Sequence, residues 1–260
     1  MGVGLELGGW SSGEGMTAAK RPQTSTRHPD AASPVNRAPA ILSELKMLYP
    51  DARCELDFTS PHELLVATIL SAQATDVGVN KATPALFKRF PQPIDYARST
   101  PEEISPWVKS LGFFRQKSKS IHAAMSSIVQ DFGGEVPRTM EQLLTLRGVA
   151  RKTANVVLGN AFGINAGIAV DTHVIRLTER FGLSTHQDPV KIERDLMKLI
   201  PQEDWTLISH LLIWHGRRAC KARGGLCVEH PFCRRWCSAS RAGVHRTSRA
   251  KLNPKRAISR

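Results

Sequence analysis

A lysine at the head of a helix is a candidate nucleophile. Lys152 stands in such a place, within Leu146-Arg147-Gly148-Val149-Ala150-Arg151-Lys152-Thr153-Ala154. The apolar Met140, Leu143 and Leu144 predict a helix over 139–145, and a second is expected over 152–158, directly after the glycine turn. Backbone N–H groups exposed at a helix N-terminus attract anions, so Gly148, Ala150 and Arg151 are candidate contacts to a phosphate backbone. An amine attacks only after losing its proton, and lysine is ordinarily protonated near neutrality. The positive end of the helix and the neighbouring Arg151 both disfavour the ammonium form. A phosphate contact through Lys152, without chemistry, is the competing reading.

Asp171 precedes Thr172-His173-Val174-Ile175-Arg176-Leu177 and suits a helix N-cap. A carboxylate that caps a helix is held rigidly and kept ionised. Of five cysteines, Cys54 stands alone, while Cys220, Cys227, Cys233 and Cys237 fall within eighteen residues, in what reads as a Gly- and Arg-rich loop. That placement does not suit a secreted disulfide framework. Four thiolates so grouped suit an iron–sulfur cluster or a structural zinc.

The elements that must position these groups read as helices throughout. Ser60-Pro61-His62-Glu63 and Thr100-Pro101-Glu102-Glu103 each offer an N-cap, a proline at the first helical position and a glutamate three residues after the cap. Asp188-Pro189 opens another helix, with Ile192, Leu196 and Leu199 on one stripe, and Ile208, Leu211, Leu212 and His215 form a further stripe. Gly112, Gly148, Gly163, Gly182 and Gly216 are expected in the turns between helices. No strand-length alternation appears, so the fold is expected to be all-α, with roughly nine or ten short helices.

Residues 1–37, rich in Gly, Ser, Thr and Pro, are expected to be disordered, as is the basic tail 241–260. The net charge is +13, and the last 20 residues contribute seven Lys/Arg and no acid. Such an excess suits a nucleic-acid partner better than a membrane, because no amphipathic basic anchor helix is evident. No apolar run is long enough to span a bilayer, and the N-terminus lacks the pattern of a secretory signal. The expected location is cytoplasmic, associated with the nucleoid in a bacterium.

The strings LRGVARKTANVVLGNAFG and IAVDTHVIRL, together with LSAQATDVGVNKATPALF over 70–87, closely resemble the endonuclease III family of DNA glycosylases. The similarity runs from about Ala38 to Ser238. It implies a helix-hairpin-helix glycosylase fold of two helical subdomains with the DNA cleft between them. Residues 54–164 would form a six-helix subdomain carrying the hairpin at about 139–160. Residues 38–53 plus 165–240 would form an iron–sulfur subdomain. The implied activity is removal of oxidised pyrimidines followed by cleavage 3′ to the abasic site. The implied partner is damaged or abasic duplex DNA, bound by a monomer.

The resemblance also implies roles for single residues. Lys152 would attack C1′ and Asp171 would assist it. Gln73 would occupy the space left by the extruded base, and Phe113 would enter the base stack where the family usually has Leu. Arg115 and Lys117 would face phosphates. The four cysteines would hold a [4Fe–4S] cluster, although the family's order would put the third ligand at His230 and the fourth at Trp236. Basic residues around the cysteines, Arg217, Arg218, Lys221, Arg223, Arg234 and Arg235, would shape a loop against DNA. Arg147 and Ala150 replace the usual Pro and Gly of the hairpin; if the backbone needs positive φ at 150, alanine is strained there. The stretch from Lys152 to Asp171 carries one extra residue near Ile164 to Gly167. An adenine-removing relative, a non-catalytic DNA-binding module and a zinc-stapled protein are the alternatives. Lys152 argues against the first, and the Lys152/Asp171 pair, which binding alone does not require, against the second.

Overall fold

The computed structural model describes Met1, residues 33–223 and residues 226–241. Among the described residues there are thirteen α-helices and no strand. In chain order they are α1 (Pro34–Leu48), α2 (Pro61–Leu70), α3 (Asp76–Arg89), α4 (Pro93–Ala97), α5 (Pro101–Val108), α6 (Phe114–Asp131) and α7 (Met140–Thr145). The remainder are α8 (Arg151–Phe162), α9 (Thr172–Arg180), α10 (Pro189–Leu199), α11 (Trp205–Arg218), α12 (Pro231–Trp236) and α13 (Ser238–Arg241). The number exceeds the nine or ten expected because α4, α12 and α13 span only one or two turns, too few to show a periodic stripe. Helix α1 begins at Pro34 and so takes in the last four residues of the expected N-terminal extension. The rest of that extension, residues 2–32, and the tail 242–260 lie outside the described residues.

Local capping follows the sequence. Ser60 accepts from the Glu63 amide, and Thr100 and Glu103 form a reciprocal capping box. Asp188 accepts from the Lys191 amide at the start of α10. Glu63 departs from the reciprocal pattern, since its carboxylate takes the Thr59 amide and hydroxyl instead of the Ser60 amide. Gly148, Gly163 and Gly182 hold φ of +82°, +67° and +63°, as turn glycines do. Gly216 differs from expectation. It lies inside α11, where a Cβ would come within 2.8 Å of His173 Nδ1, so it permits close helix packing and makes no turn.

The buried apolar residues form two clusters. One gathers α2 to α8 around Leu64, Leu65, Tyr96, Ile121, Met125 and Leu158. The other joins α1 to α9, α10, α11 and the cysteine region around Ile41, Leu45, Val174, Phe181 and Leu211. Between them, α8 packs on α11, with Gly159 clearing space for Thr206 and His210 Nε2 donating to Asn160 Oδ1 at 2.8 Å. The chain returns to the second cluster only after the hairpin, and that return puts Lys152 and Asp171 on either side of the junction.

Candidate active site

The hairpin is α7, a turn over 146–150, and α8. Thr139 caps α7 through the Gln142 amide, and the Val149 amide closes the turn on Leu146 O at 3.1 Å. Ala150 is the N-cap of α8 with φ −100° and ψ 171°, an extended conformation open to any residue. The strain expected for alanine there does not arise. Ala150 offers no side-chain acceptor, which leaves the first-turn amides of α8 for an external anion.

Lys152 is exposed in the first turn of α8 and lines a cleft with Asp171. Ser71, Asp76, His210 and Arg217 line the same cleft, with Trp214 and Cys54. Asp171 caps α9, its Oδ1 accepting from the amides of His173 at 2.8 Å and Val174 at 2.9 Å. Both bonds use Oδ1, so Oδ2 remains for the cleft. Arg217 Nη1 bridges Glu55 and Asp76, the latter at 2.7 Å, and Arg218 donates to Glu55 while stacking 3.7 Å from the Trp214 ring centre. These guanidiniums are therefore committed to carboxylates at the rim of the cleft. Arg151 is also paired, its Nε lying 2.6 Å from Glu193 Oε2. The positive charge expected to press on Lys152 is offset.

Two loops project beside the cleft. Gln73 (φ +53°) and Phe113 (φ +58°) are the non-glycine residues with positive φ among the described residues. Both are exposed, Phe113 to 67%, and a Cβ on Gly112 would lie 4.0 Å from Gln73 O, so the loops are neighbours. Side chains held in left-handed backbone and left in solvent are uncommon, and such strain gathers at functional sites. Arg115 is exposed as expected. Lys117 is not. It is 5% exposed, with Nζ buried and unpaired among the described residues, and burial holds its ammonium below the usual lysine range. The reason is helical phase: Lys117 shares the stripe of Ile121, Ala124 and Ile128, whereas Arg115 and Lys119 face outward one turn apart. Lys119 replaces Lys117 as the lysine facing solvent.

The four clustered cysteines are wholly buried and free of disulfides. Sγ of Cys220 lies 3.6 Å from that of Cys227 and 3.7 Å from that of Cys237, and Cys227 and Cys237 are 3.3 Å apart. Cys233 Sγ groups with Cys220 and receives His215 Nε2 at 3.1 Å, while His215 Nδ1 accepts from the Tyr49 hydroxyl at 2.9 Å. The region is not the plain loop expected. Cys233 sits in α12 and Cys237 at its C-cap, the Cys237 amide bonding Cys233 O at 2.8 Å. Residues four apart on a helix share a face, so the altered spacing still turns both thiols toward Cys220, Cys237 together with Cys227 and Cys233 together with His215. Trp236 takes no ligand place; its Nε1 donates to Glu44. The surrounding arginines are less available to DNA than expected. Arg217 and Arg218 hold carboxylates, and Arg235 pairs with Glu44 at 2.7 Å. Lys221, Arg223 and Arg234 remain exposed.

Residues 66–202 match the family described as HhH-GPD superfamily base excision DNA repair protein. The chain is 59% identical to endonuclease III of Synechocystis sp. over 198 residues, 76% of this chain and 90% of that protein. It is 39% identical to endonuclease III of Escherichia coli K12, covering 92% of that protein. A solved non-covalent endonuclease III–DNA complex superposes with TM-score 0.76 at 40% identity, over 80% of this chain and 97% of that one. The chain belongs to the endonuclease III family.

Some residues around this endonuclease III site carried no role in the sequence reading. Glu193 and Asn155 are buried beside Lys152, and the carboxylate accepts from Asn155 Nδ2 at 2.8 Å as well as from Arg151. A signal for Glu193 existed: an acid flanking Ile192 and three residues before Leu196 falls on the apolar stripe of α10. Burial pushes the His210 imidazolium down to about 4, so this lining residue of the cleft is neutral near pH 7. Nothing local in the sequence marks it.

Proposed function

We propose that this chain removes oxidised pyrimidines from duplex DNA with Lys152 as nucleophile and Asp171 as its carboxylate partner, then nicks the strand 3′ to the abasic site. A base excision repair glycosylase with AP lyase activity, as the family makes this chain, needs an amine and a carboxylate at one everted sugar. The single observation carrying the assignment is that Lys152 and Asp171, distant in sequence, line the same cleft. In the proposed sequence, the neutral Lys152 amine forms a bond to C1′ as the bond from C1′ to the base breaks and the base leaves with the electron pair. Asp171 Oδ2 takes the lysine proton and stabilises the positive charge on the sugar. The adduct opens to a Schiff base, which acidifies the C2′ proton. Loss of that proton expels the 3′ phosphate by β-elimination. Gln73 fills the space left by the everted nucleotide, and Phe113 holds the stack open. The amides at the head of α8 hold the backbone phosphate without reading sequence.

The cysteines fit a [4Fe–4S] cluster in donor type, number and burial. Such a cluster, when bound, supplies a structural staple to the region and takes no part in breaking the glycosidic bond. Arg176 Nη2 donates to Gly216 O and Cys220 O, both at 3.1 Å, and so joins the cysteine region to α9, the helix capped by Asp171. A duplex containing a single thymine glycol, incubated with the protein and run on a denaturing gel, tests the activity. A strand cut at the lesion is the expected result. An uncut strand that also resists alkali rules out excision of that base.

A further inference from the structure

Glu193 is 3% exposed, and its carboxylate joins three parts of the chain. From α10 it accepts Arg151 Nε at 2.6 Å on one oxygen and Asn155 Nδ2 at 2.8 Å on the other. Asn155 Nδ2 also donates to Ile168 O at 3.3 Å, three residues before Asp171. At Gly167 the contact is so close that a Cβ would lie within 2.1 Å of Glu193 Oε1. Lys152 lines the small pocket formed by Arg151, Asn155, Ile168, Val170 and Glu193, as well as the cleft it shares with Asp171. The segment that holds the extra residue between lysine and aspartate is thus fastened at both ends. Asn165 Oδ1 accepts from the Thr206 hydroxyl at 2.6 Å, and Gly167 sits against the buried carboxylate.

A buried carboxylate contributes little net stability even when paired, since desolvation offsets much of its attraction. It does impose one geometry on its donors. We propose that Glu193 is a positioning residue for the reaction, holding the first turn of α8 and the strand-like segment before α9 in register so that Lys152 meets Asp171 across the cleft. The inference rests on Lys152 being the nucleophile. Glu193 touches neither substrate nor the reacting atoms, and its effect runs through Arg151, Asn155 and Gly167.

The test is the single-turnover rate of borohydride trapping at saturating abasic duplex, read beside the dissociation constant for the same duplex and the thermal melt. Glu193→Gln keeps the volume and removes the charge. Gly167→Ala displaces the carboxylate, and the Asn155 amide bonded to it, without removing any polar group. Each is predicted to slow trapping roughly ten- to a hundredfold, as a misplacement near 1 Å does, with DNA affinity close to that of the unmodified protein. Because both act on one contact, the double variant is predicted to be no slower than the slower single variant. An unchanged rate in Glu193→Gln overturns the proposal, and so does a loss that only tracks the unfolded fraction. If the unmodified protein traps no DNA, the nucleophile assignment falls and Glu193 falls with it. If it traps normally and the variants match it, Glu193 falls alone.

Discussion

At the scale of single residues, the chemistry depends on what each polar side chain has left to give. Asp171 spends Oδ1 on two backbone amides and keeps Oδ2, so capping leaves an oxygen for the role proposed for it. Asp171→Asn preserves an N-cap acceptor but carries no charge. It is predicted to leave the melting temperature within a few degrees while slowing strand cleavage by about two orders of magnitude, measured under single turnover. Lys117 is the opposite case, an amine in an apolar stripe with no partner among the described residues. Lys117→Met is predicted to raise stability by about 1 kcal/mol in chemical denaturation, because the unpaired ammonium no longer has to be desolvated. A loss of stability would mean that the ammonium has a partner after all. His210 sets a pH limit. Its folded pKa is about 4, well below the ordinary value of 6.5, so the unfolded chain binds the proton first as pH falls. Its contribution is intact above about pH 6.5 and declines toward pH 4; at pH 5 the loss is on the order of 2 kcal/mol. Replacing His210 with Gln is predicted to flatten that part of the stability profile in denaturant titrations from pH 8 to pH 5.

At the scale of elements, the hairpin turn is held by a glycine whose backbone conformation other residues rarely adopt. Gly148 has φ +82°, and a Cβ there would meet Ser120 Cβ at 2.9 Å. Gly148→Ala is predicted to weaken the fold by about 1–2 kcal/mol and to reduce affinity for undamaged duplex, read by titration at fixed salt. Unaltered affinity would place the phosphate contact elsewhere. Signals of this kind are legible in a sequence because they are local. A cap and the amide that donates to it sit three residues apart, and a turn glycine sits at the turn. Lys117 was misread because its phase on α6 is set by α2, α4 and α5 packing around it. Gly216 was misread because its neighbours, His173 and Arg176, lie 40 or more residues away. The cysteines fall between these cases. Their grouping was visible, but the short helix α12, which brings Cys233 and Cys237 one turn apart, left no periodic trace.

At the scale of the whole molecule, the two apolar clusters meet along α8 and α11, and the cleft opens where they meet. Lys152 comes from the helix that closes the first cluster, and Asp171 caps the first helix after the chain returns to the second. Their approach is therefore a property of the whole packing, invisible to any local pattern, although residue types and order pointed to both. Exchange of Cys237 for Ser is predicted to lower the melting temperature and remove any absorbance near 410 nm from purified protein, since the buried group would lose the sulfur that lies against Cys220 and Cys227. The central claim concerns one amine, and covalent capture tests it most directly. With a duplex bearing a single abasic site and sodium borohydride present, the unmodified protein is predicted to give a protein–DNA band that survives denaturing electrophoresis, and Lys152→Ala to give none. An equally strong band from Lys152→Ala would contradict the account and assign the attack to another amine.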